Sequence, residues 1–143
     1  LSAVMMAHVV YAQVDAQPAG FSSLWIKEEL RHKLRFSGAI FSDDLNMEGA
    51  SIAGDVPARV LAALAAGCDM TPVCNNRPGV LAALATLDAE ALADPVSQLR
   101  VARLHGANAQ LREELMASAE WNRCREAALR CQERPVLKLE SSA

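Results

Sequence analysis

The chain has 143 residues, of which 52% are apolar and only 4% are aromatic. Its formal net charge is −3, and its 14 Lys and Arg residues are dispersed without a basic block, so nucleic acid is not an expected partner. Every apolar run is shorter than the roughly 18 residues that a membrane-spanning helix needs, so we expect no membrane partner either.

Three short apolar runs are predicted to be β-strands, because each is followed by Gly, Pro or polar residues. The first, 3–10, is interrupted only by His8, and such a run is typical of a parallel strand buried on both faces. The second covers residues 39–43. The third covers residues 68–74, where Pro72 lacks the N–H group that a central strand would use.

Helices are predicted between these strands and after them. Apolar residues spaced four apart mark the first helix, where Glu29 and Lys33 are placed for an i,i+4 ion pair on the exposed side. Asp55 and Gly67 are suited to cap the second helix at its two ends. The predicted helices are 23–35, 55–67, 78–87, 96–105 and 109–131. The order βαβαβα, with about 30 residues per unit, favours an open doubly wound sheet or a segment of a (β/α)8 barrel.

Polar side chains lie at or near the carboxyl end of each predicted strand, at the edge of the sheet where parallel α/β folds bind ligands. These residues are His8, Asp43, Asp44, Asn75 and Asn76. Each of them also has a structural interpretation. A histidine in an apolar run can be a core residue, the second aspartate can cap the next turn, and an Asn pair suits a turn. The adjacent Met5 and Met6 are assigned to the core.

The common cofactor and metal motifs are absent from the sequence. There is no GxGxxG, GxxxxGK[ST], HExxH or GxSxG pattern. The four cysteines have neither CxxC spacing nor a nearby histidine at metal-ligand spacing, and they are Cys68, Cys74, Cys124 and Cys131. We therefore expect no cofactor and no metal, and we interpret the cysteines as the reduced thiols of a cytoplasmic protein.

Four segments resemble, in the same order, segments of the bacterial β-N-acetylhexosaminidases of glycoside hydrolase family 3. They are VMMAHVVYAQVDAQPA, GAIFSDDLNMEGA, LAAGCDMTPVCNNRPG and LREELMASAEW, and they extend over roughly residues 2–122. The resemblance implies that residues 1–131 are the C-terminal part of a (β/α)8 TIM barrel, with three βα units and C-terminal helices. Residues 132–143 show no periodicity and are predicted to be a disordered tail.

The resemblance implies an enzyme that releases N-acetylglucosamine from muropeptides during peptidoglycan recycling in the bacterial cytoplasm. Such enzymes retain anomeric configuration through a covalent glycosyl-enzyme. Their nucleophile is the first aspartate of the Ser-Asp-Asp triplet, which is Asp43 here and leaves Asp44 as a structural neighbour. His8 is expected to line the substrate site. The general acid/base of such an enzyme is a histidine supported by an aspartate on an earlier loop, which has no counterpart in this sequence.

We therefore expect this chain to be a fragment that lacks the N-terminal barrel segment and is inactive alone. A complete barrel needs about 250 residues, so roughly 200 are expected to be missing. The chain also begins with Leu1 inside an apolar run. An unclosed sheet would expose apolar faces and unpaired edge strands. The alternative interpretation is a complete small α/β module that binds a ligand or partner without catalysis.

Overall fold

Residues 1–88, 90, 92–106 and 111–131 are described by the structure, a computed structural model. They belong to two units, Leu1–His105 and Gly106–Ala143. No helix among these described residues is both long enough and apolar enough to span a membrane.

Two parallel strands form the sheet of the first unit, β1 (Ala3–Met6) and β2 (Ala39–Ser42). Both end earlier than the sequence predicts, so that His8 and Asp43 lie just beyond the carboxyl ends of their strands. The parallel pairing agrees with the predicted α/β class.

The prediction of a third strand over residues 68–74 is wrong. This segment runs parallel to β2, but it pairs through a single bridge between Phe41 and Met70. At its start, the Ile40 amide donates to the side chain of Asp69 (2.7 Å). At its end, Pro72 has no N–H group to continue a ladder, and its carbonyl instead accepts a bond from the amide of Leu45.

Helices of the first unit cover one face of the sheet. They are a π-helix (Leu24–Lys33), α1 (Val56–Ala66), α2 (Arg77–Thr86) and α3 (Pro95–Ala102), with 3₁₀ turns at Ala19–Phe21 and Glu48–Ala53. Most predicted bounds agree within two residues. The first helix differs in type, because its hydrogen bonds span five residues, as from the Leu34 amide to the Glu29 carbonyl. This wider turn carries Leu34 away from the buried face, where Ile26 remains.

The predicted local interactions of these helices are confirmed. Asp55 caps α1 by accepting a bond from the amide of Ala58 (3.0 Å), and Gly67 ends the helix with a φ of 113°. That left-handed conformation favours glycine because it has no Cβ atom. The predicted i,i+4 ion pair between Glu29 and Lys33 also forms.

The core of the first unit lies between the helices and one face of the sheet. Its buried members are Ile26, Ile40, Leu45, Val56, Val60, Ala63, Ala66, Cys68 and Ala83. Met6 packs against this core as predicted, but the assignment of Met5 to the core is wrong, because successive strand residues point to opposite faces. Met5 and Met70 are 58% and 39% exposed and flank Phe41 across the strands. The opposite sheet face is therefore apolar and open, as an unclosed sheet would be.

In the second unit, the predicted single helix over 109–131 is divided into α4 (Arg112–Ala117) and α5 (Ala119–Arg130). Ser118 separates them with an extended ψ of 146°, and its hydroxyl caps α5 by accepting a bond from the Trp121 amide (3.1 Å). The predicted disordered tail, 132–143, lies outside the described residues.

Candidate active site

Asp43 directly follows β2, and its backbone is held from three directions. Its amide donates to the Met6 carbonyl of β1 (2.9 Å). Its own carbonyl accepts two hydrogen bonds, one from the Ser42 hydroxyl (2.9 Å) and one from Nε2 of His8 (3.2 Å). Because both lone pairs of that oxygen are occupied, rotation of the peptide after Asp43 would break two bonds at once.

The Asp43 carboxylate is half-buried and has one oriented oxygen. Its Oδ1 accepts a bond from the amide of Asp44 (2.9 Å), which restricts rotation of the side chain. Within the described residues, its Oδ2 makes no hydrogen bond, so this oxygen is available for chemistry. A carboxylate fixed in this way at a strand end is suited to nucleophilic attack, because little freedom is lost on reaching the reactive geometry.

His8 follows β1 and lies beside Asp43, so the structure brings together two residues that the sequence singled out. Its ring contacts Phe21, with 4.9 Å between the ring centroids. Two glycines lie close to His8, one at the ring and one at the backbone: a Cβ atom on Gly20 would lie 3.1 Å from Nδ1, and one on Gly49 would lie 2.9 Å from the His8 carbonyl oxygen. Direct contact of His8 with a substrate stays a prediction.

Asp44 has the structural role that the sequence left open for it. Its Oδ1 accepts bonds from the amides of Asn46 (2.9 Å) and Cys74 (2.8 Å). The side chain of Asn46 in turn accepts a bond from Nδ2 of Asn76 (2.8 Å), whose Oδ1 caps α2 at Gly79. The loop after β2 is therefore fastened to the start of α2.

Ser42 and Asn46 hold the site but were not predicted from the sequence. Both are short polar residues next to the Asp43–Asp44 pair, and such residues commonly bond to nearby backbone and side-chain groups. Asn75 has a φ of 57°, a left-handed conformation that Asn tolerates, so the turn interpretation of this residue is confirmed.

Comparison with protein families decides the identity of the chain. Residues 1–110 match the glycosyl hydrolase family 3 N terminal domain. The chain belongs to this family. This match confirms the resemblance found in the sequence. The α/β content of the chain agrees with the TIM-barrel-like domain of family 3.

Individual relatives match most of the chain. A beta-hexosaminidase of Thioalkalivibrio sulfidiphilus is 47% identical over 140 residues, which are 98% of this chain and 40% of that protein. Native NagZ from Neisseria gonorrhoeae superimposes with a TM-score of 0.72 at 34% identity, over 88% of this chain and 36% of NagZ. The same enzyme in complex with N-trifluoroacetyl-D-glucosamine gives a TM-score of 0.69 at 34% identity, covering 84% and 34% of the two chains. This family 3 chain thus spans two fifths or less of the length of these relatives.

At the opposite edge of the sheet, this family 3 chain has a buried charge cluster around Asp69. The fully buried carboxylate accepts bonds from Arg31 Nη2 (2.7 Å), Arg100 Nη1 (2.9 Å), Ser97 Oγ (2.6 Å) and the Ile40 amide (2.7 Å). Burial raises the pKa of Asp69, but the bonds from Ser97, Ile40 and Arg100 and the charge of Arg31 outweigh it and lower the pKa overall. The sequence analysis missed this cluster, although a charge inside the apolar run GCDM is a sign of a paired buried group.

A cavity of about 730 Å³ opens beside this cluster and is lined by Arg31, Arg100 and Asp94, among others. Phe36 and Ser37, which precede β2, also line it, so the cavity lies at the amino end of the strands. Ligands of parallel α/β folds bind at the carboxyl ends, where Asp43 lies. We therefore assign the candidate active site to the edge that carries Asp43.

Proposed function

We propose that the whole protein containing this chain is a retaining β-N-acetylglucosaminidase whose nucleophile is Asp43. The observation that carries the proposal is the Asp43 carboxylate itself at the carboxyl end of β2. The Asp44 amide holds one oxygen, and the other makes no hydrogen bond within the described part of the chain. Family membership supports the reaction class. The N-trifluoroacetyl-D-glucosamine complex of gonococcal NagZ supports an N-acetylglucosaminide as substrate.

In the first proposed step, Asp43 attacks the sugar. A lone pair of Oδ2 forms a bond to the anomeric carbon C1, and the bond from C1 to the glycosidic oxygen breaks. Its electron pair goes to the departing oxygen, which takes a proton from a general acid. The negative Asp43 carboxylate also stabilises the positive charge that develops on the sugar ring.

In the second proposed step, water releases the sugar. The same acid, now a base, removes a proton from a water molecule whose oxygen bonds to C1. The bond between C1 and Asp43 breaks, and its electron pair returns to the carboxylate. Two displacements on opposite faces give net retention of configuration. We propose that the acid/base lies in a part of the whole protein outside this chain, because relatives of this chain are about two and a half times as long.

The proposed substrates are muropeptides that carry N-acetylglucosamine, and the proposed setting is peptidoglycan recycling in the bacterial cytoplasm. The resemblance of the sequence to bacterial enzymes of that pathway supports both. By the same reasoning, this chain alone does not turn over substrate, because it would contain the nucleophile without its acid/base partner.

The test uses dinitrophenyl β-N-acetylglucosaminide and the protein expressed from the complete reading frame that encodes the chain. We expect steady release of dinitrophenolate by this protein and no more than one equivalent by residues 1–143 alone, because this leaving group departs without a proton but the water step needs the base. Asp43→Asn should lower kcat by roughly 10⁴-fold or more, as removal of a nucleophile does. Asp44→Asn is the matched control, because the amide keeps an oxygen for the two backbone donors, so kcat should stay within about 10-fold of wild type.

A rescue experiment identifies the nucleophile directly. In Asp43→Ala, azide can bond to C1 from the side that the carboxylate vacates, while dinitrophenolate departs with its electron pair. The expected product is the α-glycosyl azide. Formation of the β-azide, or full activity of Asp43→Asn, would remove Asp43 from the role. Turnover by the 143-residue chain alone would refute its dependence on a further segment. An inactive complete protein that still binds the sugar would favour the non-catalytic module.

A further inference from the structure

His8 is the side chain outside the Asp43 loop that bonds to the Asp43 backbone, 35 residues away along the chain. The acceptor is a carbonyl oxygen, which cannot donate, so Nε2 of His8 carries the proton. The other ring nitrogen, Nδ1, is buried and has no hydrogen-bond partner among the described residues. Within the described residues, the hydrogen bond of the His8 ring therefore goes from Nε2 to the backbone carbonyl of Asp43.

Stability alone does not account for a histidine at this place. A buried ring nitrogen without a partner costs free energy, and an apolar side chain of similar size would avoid that cost while keeping the contact with Phe21. Among the described residues, the bond from Nε2 to the Asp43 carbonyl is the interaction of the ring that an apolar residue could not make.

Contacts on the ring and on the backbone restrict the movement of His8. Phe21 covers it at 4.9 Å, and the close approach of Gly20 and Gly49 leaves no room for a side chain at either place. A donor fixed on β1 and its following loop can therefore transmit that rigidity to the end of β2. The Asp43 amide already bonds to Met6 of β1, so His8 adds a second connection between the two strand ends.

We propose that His8 is a positioning residue that fixes the Asp43 backbone, and through it the carboxylate, for attack on the sugar. The catalytic part of this inference rests on the proposed function. Its physical reason is the steep dependence of displacement rates on geometry, since a misplacement of about 1 Å can cost about 100-fold in rate.

The first test measures how firmly the Asp43 backbone is held and needs no activity assay. Amide hydrogen exchange is followed by NMR in the protein from the complete reading frame and in His8→Met, which keeps apolar bulk but removes the donor. We expect the Asp43 amide to exchange roughly 5- to 10-fold faster, the effect of losing one hydrogen bond. Exchange in α1 should not change. An unchanged Asp43 exchange rate would overturn the inference whether or not the protein is a glycosidase.

The second test separates positioning from direct sugar contact. With the dinitrophenyl substrate, His8→Met should lower kcat about 10- to 100-fold and leave KM within about 3-fold. His8→Gln, whose amide can donate from nearly the same place, should recover kcat to within about 5-fold of wild type. His32→Met is the control, because that histidine is exposed on the π-helix and pairs with Glu28, on the same helix.

The outcomes are distinct. A raised KM with unchanged kcat in His8→Met would mean that His8 contacts the sugar and would overturn the positioning role. Equal losses in folded His8→Gln and His8→Met would also overturn it, because the donor would then be irrelevant. An inactive wild-type protein would refute the proposed function instead, and the hydrogen exchange result would still decide whether His8 holds Asp43.

Discussion

Replacing Asp69 by asparagine should destabilise the first unit strongly. The carboxylate is fully buried and bonds to two guanidinium groups, a hydroxyl and a backbone amide. Asparagine keeps one acceptor oxygen, but it removes the negative charge and turns an NH₂ group toward donors. Breaking a buried ion pair by removing one partner typically costs about 3–5 kcal/mol. We therefore expect the free energy of unfolding to fall by about that amount.

Urea unfolding measures this loss. The chain has two tryptophans, and only Trp25 lies in the first unit. In a Trp121→Phe background, the fluorescence of Trp25, whose ring contacts Tyr11 at 5.5 Å, reports on that unit alone. With a urea dependence of about 1.5 kcal/mol per M, the midpoint should fall by about 2–3 M.

Glu28→Gln is the matched control, since it removes the same charge from an exposed pair with His32. That substitution should change the free energy of unfolding by less than about 0.5 kcal/mol. If Asp69→Asn also stayed within about 1 kcal/mol of wild type, the expected contribution of the cluster to the stability of the first unit would be refuted. If Asp69→Asn is largely unfolded, Arg100→Gln tests the same cluster in the same urea assay. It should lower the free energy of unfolding by about 1–3 kcal/mol.

Three further predictions follow from the same structure. Because its folded pKa is lowered, Asp69 contributes stability above its ordinary pKa of 3.8, so as the pH falls below that value the wild-type urea midpoint should drop more steeply than that of Asp69→Asn. Gly67→Ala should cost about 1–2 kcal/mol in the same unfolding assay, because its φ is 113° and the new Cβ would lie 3.0 Å from Ile26. Burial raises the pKa of Cys68 to about 12, so a thiol reagent at pH 8 should modify the three exposed cysteines rapidly and Cys68 only after unfolding.

Interactions that depend on a few neighbouring residues were predictable from the sequence. The Asp55 cap, the Gly67 helix end and the Glu29–Lys33 pair each involve groups within about one helical turn, so composition and spacing determine them. The position of Asp43 at a strand end was predictable for the same reason, because an apolar run simply stops there.

Features that depend on distant residues could not be predicted. The predicted third strand does not form partly because the side chain of Asp69 accepts the hydrogen bond of the Ile40 amide. The partners of Asp69 lie 28 to 38 residues away along the chain. The exposure of Met5 depends on whether anything covers the second sheet face. The position of His8 depends on Phe21 and on glycines in two separate 3₁₀ turns.

The bonds around Asp43 determine which reactant moves in the proposed reaction. Its amide, both lone pairs of its carbonyl and one carboxylate oxygen are all engaged, so the nucleophile cannot advance toward the sugar without breaking its own anchors. In the proposed reaction the anomeric carbon C1 therefore moves and the carboxylate stays in place. The sugar ring flattens as C1 shifts from the leaving oxygen toward Oδ2 of Asp43. An inhibitor that mimics the flattened ring, with its positive charge placed over this fixed oxygen, should bind more tightly than one that copies the resting chair.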